Sequence, residues 1–298
     1  MVVATFKLRR ERKEMRKIVR KPAVAGAFYE RDKEKLKKQI EECYLHPLGP
    51  GEIPKKSLKK EGEILGIVSP HAGYLYSGPV AAWGFKEVVE KEIPEIVVIL
   101  GPNHYGIGAE VSLMEKGFWE TPLGRVEIDE EIAEKIGEIC PYVKFDKRAH
   151  LREHSLEMQL PFLQYSFGEE FKIIPICMQR QSEEISRELG KGLAEVLKEK
   201  NSLIIASTDL THYERKEIVE EKDKKVIKAI LSLHPEEVIE TVLHYNVSMC
   251  GPGPVMTMLT ATSLLGAKRA RLLKHATSGD ITGDYEAVVG YASISVER

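Results

Sequence analysis

The chain has 298 residues, enough to bury a full hydrophobic core in one large α/β domain or two small ones. Its 46 acidic and 44 basic side chains nearly cancel, which argues against a general nucleic-acid footprint and leaves any anionic partner to be bound locally. No apolar run reaches the roughly 18 residues of a membrane span, and the four cysteines lack CxxC spacing, as expected of a reduced, cytosolic compartment.

Residues 1–20 read as a basic N-terminal arm, with Lys7, Arg9, Arg10, Arg12, Lys13, Arg16, Lys17 and Arg20 crowded into a stretch poor in apolar side chains. A solvated arm is the plain reading, and a nucleic-acid-binding arm the sharper one. Met15 is an alternative start. Lys and Glu are abundant while Asn and Gln are scarce, a bias associated with hyperthermophile surfaces. From Lys21 to Arg298 there is no linker, no repeat and no strong change of composition apart from the polar stretch 49–62, so one domain is expected over 21–298.

Leu36, Ile40 and Cys43 recur at helical spacing and predict an amphipathic helix over about 31–44. The runs at 64–69, 96–100, 171–178 and 203–207 are short, rich in β-branched residues and bounded by turn residues, as strands buried on both faces would be. Between them, helical periodicity covers 78–91, 129–139, 182–200 and 216–233. Such alternation predicts a three-layer α/β/α fold around a mixed, largely parallel sheet. The segments VSLME, WETPLGRVEI and YEAVVGYASISV read as hairpin or edge strands.

The reactive residues sit just beyond the apolar runs. His71 follows Ile67–Pro70 and precedes small residues, and His104 repeats the arrangement after IVVILGPN, with Gly101 and Gly106 allowing a tight fold. Ligands of open α/β sheets collect outside the carboxyl ends of the strands, so the two histidines point to a shared metal site. In EHSLEMQLP a helix starting near Glu153 would put His154 and Glu157 on one face, as ligand, supporting pair or helix-start ion pair, and Pro161 would end or kink it. His150, Glu153 and His154 also match the H-x-x-E-H pattern of inverted zinc peptidases, a third and minor reading. Asp209 and His212 follow LIIAS; Asp209 either orients a histidine for general-base work or caps a helix, and His212 suits proton transfer. Cys250 precedes GPGP and a helix opened by Pro254, where a thiol would be shifted toward thiolate. Cys43, Cys140 and Cys177 read as structural, and HATSGD with TGDYE as a polar loop bordering the site.

Taken together and in order, RKPAVAGAFYE, SPHAGYLYSG, GPNHYG, EHSLEMQLPFLQ, STDLTHY and MCGPGP resemble the Memo (mediator of cell motility) family, also named as component B of a radical-SAM-associated prokaryotic system. The likeness runs over residues 20–298 and implies a fold like that of class III extradiol dioxygenases, in which two histidines and a glutamate hold Fe(II) and another histidine is the acid/base. It carries the metal ligands onto His71, His104 and Cys250 and the catalytic roles onto His212, Asp209 and His154, with Glu157, Asn103 and Tyr74 lining the cleft. A thiolate in place of the carboxylate departs from the dioxygenase pattern and suits copper or zinc as well as iron. The resemblance therefore implies an oxygenase-like redox protein with Fe(II), or copper or zinc. The alternative is a signalling module that binds a small molecule or a phosphotyrosine peptide in an inherited cleft, though no arginine cluster accompanies the motifs. Proteins of the radical-SAM-associated system are the partners it suggests.

Overall fold

A computed structural model describes residues 18–55, 63–91, 93–168 and 170–298; residues 1–17 of the basic arm, Met15 included, lie outside it. Four strands form its centre: β2 (Ile64–Ser69), β3 (Ile96–Pro102), β8 (Lys172–Met178) and β9 (Ser202–Ser207). They run parallel in the order β2-β9-β3-β8. Every residue of β2, β3 and β9 is buried, which is why these strands read as unbroken apolar runs.

Antiparallel neighbours extend both sides. β4 (Val111–Leu113) pairs with β8 and carries β7 (Val143–Phe145), while β12 (Val288–Glu297) pairs with β2 and carries β10 (His212–Glu214) and β11 (Arg269–Thr277). The sheet is thus mixed with a parallel centre. YEAVVGYASISV forms β12, which lies between β2 and β11 and is an interior strand, not an edge; its near-complete burial is what two-sided pairing requires. WETPLGRVEI forms the hairpin β5 (Phe118–Thr121) and β6 (Gly124–Glu127), which with β1 (Val19–Arg20) makes a separate small sheet.

Helices cover both faces. Gly66 and Ile67 point to opposite sides of β2: a Cβ on Gly66 would meet Met258 of α8 (Pro252–Leu264), whereas Ile67 lies under Gly84 of α2 (Tyr74–Val89). α1 (Lys33–Leu45) and α4 (Leu160–Phe167) pack with α2, and α5 (Glu183–Leu197) and α7 (Pro235–His244) pack with α8. α3 (Glu130–Ile139) leans on α5, and α6 (Lys216–Leu231) covers β11 and β12. No helix among the described residues is long and apolar enough to cross a membrane.

Two helix starts differ from the sequence pattern. α2 begins at Tyr74 rather than 78, because its first turn is fixed from outside: the Tyr74 N–H donates to the Phe28 carbonyl and the Ser77 hydroxyl to that of Ala72. Pro161 starts α4 instead of ending a helix, and residues 153–156 are not helical, so His154 and Glu157 do not share a helix face.

At the far end of β12, Glu297 is buried and accepts hydrogen bonds from Arg269, Arg271, Lys91 and Ser295. Burial alone would raise its pKa, but the hydrogen bonds from Arg269, Ser295 and Lys91 hold it at about 2. A depressed folded-state pKa stabilises above the ordinary carboxylate value and loses that contribution as pH falls toward the folded one. Glu297→Gln is expected to cost about 1–2 kcal/mol at neutral pH after solvent screening. The deficit should vanish in urea titrations repeated at stepwise lower pH, from about 4.5 to about 2.

Candidate metal centre

His71, His104 and Asp209 lie just past the carboxyl ends of β2, β3 and β9 and meet in one cavity of about 920 Å3. His71 is buried, and its ring is fixed from behind. The Ser207 hydroxyl donates to the Ser155 carbonyl at 2.7 Å, so toward His71 Nδ1, 2.9 Å away, it can only accept. That leaves the proton on Nδ1 and the lone pair on Nε2. Burial, and then His154, His104 and His212, push the His71 pKa well below its usual value, so the ring is neutral at pH 7.

His104 follows the same logic with a stronger partner. Glu153 is fully buried, accepts from His104 Nδ1 at 2.8 Å and from the His104 backbone N–H at 2.7 Å, and takes the Ser155 N–H at 2.9 Å. Burial works to raise the Glu153 carboxyl, but the His104 ring and these amides hold it at about 2. A carboxylate on Nδ1 orients the ring and makes Nε2 the better donor.

His154 joins them: one ligand atom from each of His71, His104 and His154 lies within 4.8 Å of the others, a spacing that can hold a metal ion. The rings of His104 and His154 stack with centroids 4.5 Å apart and planes 27° apart, while His71 stands nearly perpendicular to both. Burial lowers the His154 pKa to about 4 against the opposing pull of Glu153.

Cys250 reaches the cavity from the residue before the N-cap of α8, its Sγ 3.3 Å from His71 Nε2. The Asp209 N–H donates to this sulfur at 3.1 Å. Burial and the nearby Asp209 nevertheless push the thiol up to about 12, the reverse of the thiolate expected from its place before a helix. Asp209 neither caps a helix nor bonds to His212: its carboxylate accepts the His71 N–H at 2.8 Å, and burial raises it to about 6. His212 is instead oriented by the Ser248 carbonyl, which accepts from Nδ1 at 2.9 Å and leaves Nε2 as the free nitrogen.

The residues expected to line the cleft beside these do not form its wall. Glu157 is fully buried and bonded to the 20–29 segment; Tyr74 is buried with its hydroxyl on the Met158 carbonyl; Asn103 spends its amide on the Ile107 carbonyl and on the Tyr105 and Gly106 N–H groups. The wall is made by Phe28, Tyr76, Tyr213 and Tyr291, with Ser278, Thr282 and Asp284 from the expected polar loop. Tyr213 takes a left-handed backbone (φ 58°) where the β10–β12 register shifts. His150 packs against Trp119 at the end of a short 3-10 turn, away from the cavity, so H-x-x-E-H is not a helical ligand pair here. Cys43, Cys140 and Cys177 are buried. A groove of about 980 Å3 at the opposite end of β3 and β8 has no His or Cys among its described lining residues.

The profile of the Memo-like protein family matches residues 20–295. The chain belongs to the Memo family. Its relatives in that family include a MEMO1 family protein of Methanopyrus kandleri, 49% identical over 94% of this chain and 99% of its own length. Another from Methanocaldococcus jannaschii is 50% identical, again over 94% of this chain and 99% of the relative. An uncharacterised protein of Escherichia coli K12 superposes with a TM-score of 0.53 at 14% identity, over 78% of this chain and all of that one, which extends the likeness of fold alone. The large mixed sheet flanked by helices is thus the architecture of a Memo-family chain.

Proposed function

We propose that this Memo-family cleft is a non-haem metal centre with an oxygenase-like redox role, with Fe(II) as the resident ion, copper as the redox alternative, and zinc as the ion that would leave it without electron transfer. The observation that carries the reading is the pair of tied imidazoles: His71 and His104 each have Nδ1 engaged, by Ser207 and Glu153, so both present Nε2. Two donors on one metal at roughly 2.3 Å for sulfur and 2.0 Å for nitrogen stand about 3.5 Å apart at a tetrahedral angle. The 3.3 Å between Cys250 Sγ and His71 Nε2 fits that separation. The rings of His104 and His154 lie 27° apart and do not converge on one point as readily as the nearly perpendicular rings of His71 and His104. The fit therefore favours His71, His104 and Cys250 as ligands and leaves His154 to contact the substrate.

When bound, the metal supplies a site for O2 and electron exchange and favours the thiolate of Cys250. His212 Nε2 takes a proton from a substrate hydroxyl, with the Ser248 carbonyl fixing its ring. Asp209 holds the backbone of His71 in register. The aromatic wall formed by Phe28, Tyr76, Tyr213 and Tyr291 gives a flat substrate ring an apolar surface to pack against. None of the described wall residues is Lys or Arg, which counts against the phosphopeptide-binding alternative.

Elemental analysis of protein purified anaerobically without a His tag tests the reading. About one redox metal per chain is expected, with affinity reduced at least roughly tenfold in Cys250→Ser. Protein that arrives empty and refuses Fe(II), copper and zinc would refute it, and a loaded protein that consumes no O2 with any catechol would remove the oxygenase part.

A further inference from the structure

Of the three clustered histidines, His71 and His104 are each oriented by a hydrogen bond at Nδ1, and His154 is not. Its Nδ1 is buried, lies 3.4 Å from Glu153 Oε1 without the alignment of a hydrogen bond, and has no partner among the described residues. What holds this ring is packing: His104 against one face, with Phe28 and His71 edge-on at centroid distances of 5.0 and 5.4 Å and planes 63° and 89° apart. A hydrogen bond fixes both the rotation of an imidazole and its tautomer, whereas packing fixes only the rotation, and only while the packing partner stays in place.

Phe28 is itself held at two places. Its carbonyl accepts the Tyr74 N–H at 2.8 Å, which ties it to the first turn of α2. The segment on either side of it is gathered by Glu157, whose carboxylate takes the Arg20 guanidinium, the Ala23 and Val24 N–H groups and the Tyr29 hydroxyl. Arg20 in turn donates to the carbonyls of His150 and Glu153, at 2.9 and 2.7 Å, and lies over Trp119. The pair thus pins residues 20–29 to the very loop that carries Glu153 and His154. We propose that Phe28 is the positioning residue of His154, and that the buried Arg20–Glu157 pair acts on the cleft by keeping Phe28 against that ring.

The proposal rests on His154 working in the cleft, but its test uses metal-free protein and does not depend on which ion binds. Protein labelled with 15N in its histidine rings is compared as wild type, Phe28→Ala, Phe28→Leu, Phe28→Tyr and Glu157→Gln by long-range 1H–15N correlation. In Phe28→Ala the His154 ring signals should be lost to exchange broadening or replaced by averaged shifts, while those of His71, His104 and the exposed His234 stay in place. Phe28→Leu, which keeps bulk without a ring edge, should broaden them partially, and Phe28→Tyr should restore them. Glu157→Gln should reproduce the alanine phenotype at a distance; if that variant does not fold, the Phe28 series decides alone. Unchanged His154 signals in Phe28→Ala would overturn the proposal, as would joint broadening of His71, His104 and His154. A folded Glu157→Gln with a sharp His154 would overturn the part assigned to the ion pair.

Discussion

Glu157→Ala is expected to cost about 3–5 kcal/mol, because it leaves Arg20 charged, buried and unpaired. The pair itself need not be worth much: taking two charges out of water offsets most of their attraction. Removing one partner, however, strands the other. Here the loss is compounded, since the same carboxylate satisfies the Ala23 and Val24 N–H groups and the Tyr29 hydroxyl. Burial and the neighbouring Glu157 push Tyr29 above its ordinary pKa, so it remains a hydroxyl donor and would be left without its acceptor. In a chain of this length the cost corresponds to a fall in Tm on the order of 10 °C, read by circular dichroism. Replacing both partners by methionine should cost less than Glu157→Ala alone, since neither charge is then buried. A single variant within about 0.5 kcal/mol of wild type, the range of neutral surface changes, would show that the pair does not anchor this segment.

The parallel centre was legible because its strands are buried on both faces, and burial on both faces leaves no polar residues to break the run. The placement of His71, His104 and Asp209 followed from it, since the carboxyl ends of parallel strands open onto the crevice. The sequence was less telling where a side chain is positioned by something distant in the chain. Arg20 closes a run of basic residues and reads as part of a solvated arm, yet it is buried by Trp119 and by Glu157, which lies 137 positions away. Glu153 reads from the sequence as a helix start and as the glutamate of H-x-x-E-H, and its work on His104 depends on a non-helical turn that no periodicity announces. The family resemblance puts Glu157 in the cleft and a helix from 153 would set it beside His154; without that helix it bonds to residues 20–29 instead. For Cys250, proximity to a helix suggested a thiolate, and the burial that outweighs this arises only when α8 packs against the 208–209 loop.

Gly290→Ala should be comparably damaging, at about 3 kcal/mol or more. A Cβ built on Gly290 would stand 1.8 Å from Oδ2 of Asp223, a fully buried carboxylate on α6. That carboxylate cannot simply step aside: Oδ1 accepts the Thr211 N–H at 3.0 Å and its hydroxyl at 2.6 Å, and Oδ2 meets His275 Nε2 at 2.8 Å. Glycine in the interior of a strand often marks such a close approach. The strand is also bonded to the same loop, with Leu210 donating to the Gly290 carbonyl and Gly290 to that of Thr211, both at 2.8 Å. Thr211 lies between Asp209 and His212, so the substitution should disturb the cleft as well as the core, and metal uptake should weaken with stability. Asp223→Ala alone removes an acceptor that Thr211 needs, and is itself destabilising. Combined with Gly290→Ala it also removes the clash, so the double variant should be more stable than the sum of the two losses predicts. Urea unfolding of all four proteins in this cycle gives the coupling, and a value within the roughly 0.3–0.5 kcal/mol of independent sites would mean that Gly290 and Asp223 do not constrain one another.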